Sequence, residues 1–140
     1  MSFREKCAWI TLVSVLVCFG TYFAFVVENG VNGHHGGRLQ AHWLLMSTAA
    51  LVLLQVVLNR IAAATTPKDG RALRDEREQQ IQWRSHTAGY YVLMVLSVGL
   101  FVPAHFGHSG IDMANFALLA VVIATLTVAV AQIVMFRRGA

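Results

Sequence analysis

Four stretches of this chain run for 17 to 24 residues without Asp, Glu, Lys or Arg, and that pattern decides the solvent in which it folds. A helix rises 1.5 Å per residue, so about 20 apolar residues cross the roughly 30 Å hydrocarbon core of a bilayer. The first run is Cys7 to Val27, the second Ala41 to Leu58, the third Thr87 to Pro103 and the fourth Met113 to Phe136. Composition agrees: 56% of the 140 residues are hydrophobic and 13% are charged, against about a quarter charged in soluble domains. Backbone in lipid must satisfy its own hydrogen bonds, and continuous apolar runs of this length suit helices rather than the alternating strands of a barrel. The expectation is an all-α polytopic membrane protein, a bundle of four transmembrane helices forming one domain over 1–140, with helices at about 7–28, 41–59, 71–103 and 112–136.

Orientation follows from the basic residues, because cytoplasmic segments retain Lys and Arg. Arg4 and Lys6 precede the first run, Arg60, Lys68, Arg71, Arg74, Arg77 and Arg84 separate the second from the third, and Arg137 and Arg138 follow the fourth. Only Arg38, of 11 basic residues, falls on the opposite side. Both termini are therefore expected in the cytoplasm, and the positive charge reads as contact with anionic lipid rather than nucleic acid. The first run is longer than the 7–15 residues of a signal-peptide core and ends in Val26, Val27 and Glu28 without a small-x-small cleavage site, so it reads as a retained helix. Cys7 and Cys18, about 16 Å apart by helix rise, cannot bridge each other and read as packing residues.

The longest polar segment, Arg60 to His86, contains a stretch from Arg71 to Ser85 without Gly or Pro and rich in helix formers. Charges four apart, Arg71 with Asp75 and Arg74 with Glu78, can pair on neighbouring turns. This predicts that helix three extends into the cytoplasm, presenting Arg71, Arg74, Asp75, Glu76, Arg77 and Glu78 as a contact surface for a partner. Within the lipid, Gln55 and Gln132 are candidates for interhelical hydrogen bonds, and Gly20 with Ala24 and Ala120 with Ala124 have the small-x-x-x-small spacing that lets helices approach closely. Trp43 suits the outer interface, Trp9 and Trp83 the inner one.

Several segments together resemble a known family. They are Met1-Ser2-Phe3-Arg4-Glu5-Lys6, Pro67-Lys68-Asp69, the block Asp75-Glu76-Arg77-Glu78-Gln79-Gln80-Ile81, Tyr90-Tyr91-Val92-Leu93, and Gln132-Ile133-Val134 followed by Arg137-Arg138-Gly139. In these the chain resembles a family of small bacterial four-helix integral membrane proteins that carry an uncharacterised domain. The resemblance implies a bacterial inner-membrane protein of about this length and implies no activity. The histidines of the first outer loop are not part of the family pattern.

That loop nevertheless contributes two residues to a constellation with metal-binding chemistry. The topology gathers His34, His35, His42, His105 and His108 on the outer face, with Glu28, Asp112 and Met113 nearby. Imidazole and carboxylate suit zinc, copper or nickel, and the i, i+3 spacing of His105 and His108 could aim two rings at one divalent transition metal. Haem between His42 and His105 is a more remote variant. His86 stands apart at the inner interface. No P-loop, Rossmann fingerprint, nucleophile elbow or C-x-x-C is present, and no Asp, Glu, Lys or Arg lies inside the runs, which disfavours an enzyme and a proton-coupled transporter. The leading expectation is a non-enzymatic accessory or interaction subunit of the inner membrane, a homo-oligomer or the companion of another membrane protein. A metal-binding protein of the periplasmic face and a small oligomeric transporter are the alternatives.

Overall fold

A computed structural model describes residues 3–31, 37–65 and 76–138. All the regular structure among them is helical: α1 (Phe3–Val31), α2 (Gly37–Thr65), α3 (Glu76–Gly99), α4 (Phe101–His105) and α5 (Gly110–Arg138). Counting α3 and α4 as one interrupted span, four helical spans of 23 to 30 residues are long and apolar enough to cross a membrane. Each long helix outruns its apolar stretch, because helical hydrogen bonding continues into the polar flanks. Residues 71–75, the start expected for the third helix, lie outside the described residues.

The third span is interrupted at Leu100, where the sequence supplies the cause. Pro103 has no N–H for the carbonyl of Gly99, and its ring crowds that carbonyl, so the ladder breaks there. The amide of Leu100 still bonds Leu96 at 3.1 Å, and that of Ala104 resumes the pattern on Leu100 at 3.2 Å. The chain then reverses through Gly107, whose φ of +74° is the left-handed region open to glycine. Ser109 starts α5 with a reciprocal cap. Its hydroxyl donates to Asp112 Oδ2 at 2.7 Å, its amide donates to the same oxygen at 3.3 Å, and the amide of Asp112 donates back to Ser109 Oγ at 3.3 Å.

Neighbouring helices run antiparallel. Near one end, Arg137 Nε of α5 approaches Glu5 Oε1 of α1 at 3.6 Å, and its guanidinium lies 5.5 Å from the centre of the Trp9 ring. Near the other, the Tyr22 hydroxyl of α1 donates to Asn115 Oδ1 of α5 at 2.6 Å, and Phe25 meets Trp43 of α2 at 4.8 Å between ring centres. The beginnings of α1 and α3 and the ends of α2 and α5 thus share one end of the molecule, which carries Lys6, Arg60, Arg77, Arg84, Arg137 and Arg138. We refer to it as the basic end.

Among the described residues the helices do not close into a ring: substantial interfaces join α2 to α1, α1 to α5 and α5 to α3, and none of comparable size joins α2 to α3. The order across the molecule is therefore α2–α1–α5–α3. The core lies on the inner pair, where Val15, Phe19 and Tyr22 of α1 meet Val122 of α5, with Leu44 and Leu51 of α2 packed against them. Of the described α2 side chains only Ala62 is buried, whereas Leu45, Met46 and Leu53 are each at least 66% exposed. That exposure fits lipid or another chain, not water.

The α3–α5 seam is made of small residues. Ser85 and Gly89 of α3 are buried, as are Ala120, Ala124 and Ala129 of α5. A β-carbon on Gly89 would stand 2.3 Å from Val128 Cγ2 and 3.2 Å from the Ala124 carbonyl oxygen, so only glycine permits this approach. Ala120 and Ala124 are used as their spacing suggests. The other small pair is not used inside the chain: Gly20 and Ala24 face outward, with nothing within 4 Å of a β-carbon built on Gly20. Tyr22 and Asn115 form a hydrogen bond between α1 and α5. Trp9 is half-buried beneath Arg137 rather than a free interfacial anchor.

Candidate functional site

The histidines of the expected metal site are only partly described. His34 and His35 lie outside the described residues. His42 is exposed near the start of α2, His105 is exposed at the end of α4, and His108 is exposed in the turn before α5. The i, i+3 argument for His105 and His108 requires one continuous helix, and the reversal at Gly107 removes it. The His105 ring stands 5.9 Å from Phe106 and the His108 ring 5.6 Å from Phe116, each edge-on to its aromatic neighbour. Asp112 is engaged in the cap of α5. Among the described residues no three His, Cys, Asp or Glu side chains come together as a ligand set. The helix pair that haem between His42 and His105 would bridge, α2 with α3 and α4, shares no substantial interface.

At the basic end, Arg71, Arg74 and Asp75 lie outside the described residues. Glu76 and Arg77 are exposed in the first turn of α3, where the acidic Glu76 and Glu78 complement the positive helix terminus. Glu78 is half-buried and borders a small cleft of about 100 Å3 with Cys7, Gln82, Gln132 and Phe136, beside the buried Ile81. The outward strip of this turn is Glu76, Gln80 and Arg84, spaced four apart on one face.

The larger hollows lie on the α3–α5 seam, which small residues leave thin. One groove, of about 410 Å3, sits toward the end away from the basic residues, between Leu96, Pro103 and Phe106 on one side and Phe116, Leu119 and Ile123 on the other. Its one ionisable lining group is His108. A second groove, of about 450 Å3, lies on the basic half and brings in α1 through Thr11. Gly89, Ala124 and Ala129 are its small buried residues, and Leu93, Val121 and Val128 its apolar side chains. Thr11, His86, Tyr90, Thr125 and Gln132 contribute polar atoms, and no Asp, Glu, Lys or Arg lines it. Gln132 also borders the small cleft, so the two hollows adjoin.

Sequence reading placed His86 at the inner interface and Gln132 within the inner half of the bilayer and did not connect them. They come together because α3 and α5 run antiparallel, so residues rising from the start of one meet residues approaching the end of the other. The Ser85-x-x-x-Gly89 spacing, which reveals the seam, was the available signal. Compared with protein-family models, with curated proteins and with solved structures, the chain matches none.

Proposed function

We propose that this is a multi-pass protein of the bacterial inner membrane that works as a subunit of a larger membrane assembly, as a homo-oligomer or beside another membrane protein. The observation that carries this reading is the open row α2–α1–α5–α3, whose edge helices are covered on one side only. Apolar residues such as Leu53 on α2 and Val95 on α3, 66% and 71% exposed, are positioned to meet another helix in the bilayer. Van der Waals packing and interhelical hydrogen bonds drive such contacts in lipid, where no hydrophobic gain separates helix from solvent. The positive-inside rule puts the basic end in the cytoplasm, with the Glu76–Gln80–Arg84 strip available to a partner there.

Photo-crosslinking from Leu53, Val95 and Glu76 in native membranes tests this. A discrete adduct with a second copy or with one membrane protein is the expected result. Exclusively monomeric protein from all three positions, together with a monomer mass in native nanodiscs, would overturn it.

A further inference from the structure

The groove on the basic half of the α3–α5 seam has the length and polarity profile of a single leaflet's lipid. From Val121 to Gln132 it follows α5 for eleven residues, about 16 Å by helix rise and about half of a bilayer's hydrocarbon core. Val121 lies near the middle of the 29-residue α5, and Gln132 lies close to its basic end. Along that path the lining changes from Leu93 and Val121 to Thr11, His86 and Gln132. An apolar tail would thus lie toward the bilayer centre and a polar head near the surface. His86 and Tyr90 are exposed, so the groove opens sideways, and a ligand can enter from the membrane without crossing water.

The lining chooses among heads. Thr11, Gln132, Tyr90 and His86 offer hydrogen-bond donors. A phosphate would find no Arg or Lys in the lining of the groove. The His86 and Tyr90 rings also provide flat surfaces for a planar ring. The volume falls within the roughly 300–1,000 Å3 of small-molecule sites, with a few polar groups fixing orientation on an otherwise apolar wall. We propose that this groove binds one lipid with an uncharged, carbonyl-bearing ring head and an apolar tail, the chemistry of a membrane quinone. The head accepts hydrogen bonds from His86 and Gln132, and the tail lies along Leu93 and Val121. The inference rests on α3 and α5 crossing the bilayer and is independent of the assembly reading.

Decylubiquinone added to the full chain in phosphatidylcholine nanodiscs, with quenching of tryptophan emission as the readout, tests the proposal. Saturable quenching is expected, weakened about tenfold by His86→Leu and by Gln132→Leu, each of which removes one hydrogen bond to the head. Thr11→Val, nearly the same shape, provides a variant whose folding is least disturbed, and a smaller loss in the same direction is expected. Phe106→Leu in the other groove leaves binding unchanged. Quenching that rises without saturation in the wild type, or curves identical in all variants, would overturn the proposal. Displacement of the probe by phosphatidylglycerol at equal membrane fraction would overturn it too, by assigning the groove to an anionic phospholipid.

Discussion

Replacing Gly89 with alanine adds one methyl group where the α3–α5 seam has no space for it. The new carbon would lie 2.3 Å from Val128 Cγ2 and 3.2 Å from the Ala124 carbonyl oxygen, whereas carbon atoms in contact prefer about 3.5–4.0 Å. Neither neighbour yields easily. Valine in a helix holds one χ1 rotamer about nine times in ten, and the carbonyl is fixed backbone. The helices must therefore separate by more than 1 Å or so at their closest point, and overpacking of this kind costs about 1–3 kcal/mol. Alanine's higher helix propensity returns about 1 kcal/mol, which leaves a net loss of up to about 2 kcal/mol. Gly20→Ala supplies the control: with nothing within 4 Å, it gains the propensity and meets no clash, so it is neutral or slightly stabilising. Reversible unfolding of both variants in mixed micelles, titrated with dodecyl sulfate and followed by tryptophan emission, reads the difference. Val128→Ala in the Gly89→Ala background should recover part of the loss, a coupling that a double-mutant cycle isolates. Gly89→Ala as stable as Gly20→Ala would refute the close seam.

Other variants test the remaining contacts. Tyr22→Phe removes the 2.6 Å bond to Asn115 and should destabilise by about 0.6 kcal/mol, and by less than about 2, as interhelical hydrogen bonds in lipid do; a cycle with Asn115→Ala in the same titration measures it. Ser109→Ala breaks the cap of α5 and should cost about 1 kcal/mol, with faster amide exchange confined to the first turn of that helix. The Ser14 hydroxyl is fully buried on α1 with no hydrogen-bond partner among the described residues, so Ser14→Ala should be neutral or stabilising by about 1 kcal/mol. Glu5→Gln should cost about 1 kcal/mol in the same titration, because the Arg137 side chain is 65% exposed but that of Glu5 only 13%.

Much of the architecture was legible because spanning segments are long and nearly uniform in character. The run from Cys7 to Val27 and the flanking Arg137 and Arg138 announce their helices without reference to any other part of the chain. Lateral order was not legible. The four apolar runs are apolar all round, so no amphipathic stripe in them says which face of α2 meets α1, or that α2 and α3 stay apart. Spacing alone could not separate Ala120–Ala124, buried at the seam, from Gly20–Ala24, turned outward. The three-residue spacing of His105 and His108 implies one helical face only if the helix continues, and Pro103 with Gly107 ends it. The groove needed the antiparallel register of α3 and α5, a relation between residues some 40 positions apart that periodicity within one segment does not contain.

The open row is the claim on which the edge helices, the assembly reading and the lateral groove all bear. Spin-label distances in nanodiscs, with Cys7 and Cys18 replaced and labels placed in pairs at one depth, measure it directly. The α1–α2 and α3–α5 pairs should report neighbouring axes at about 8–10 Å, and the α2–α3 pair a clearly longer separation. An α2–α3 distance equal to that of the neighbouring pairs would mean a closed four-helix ring and would contradict the account.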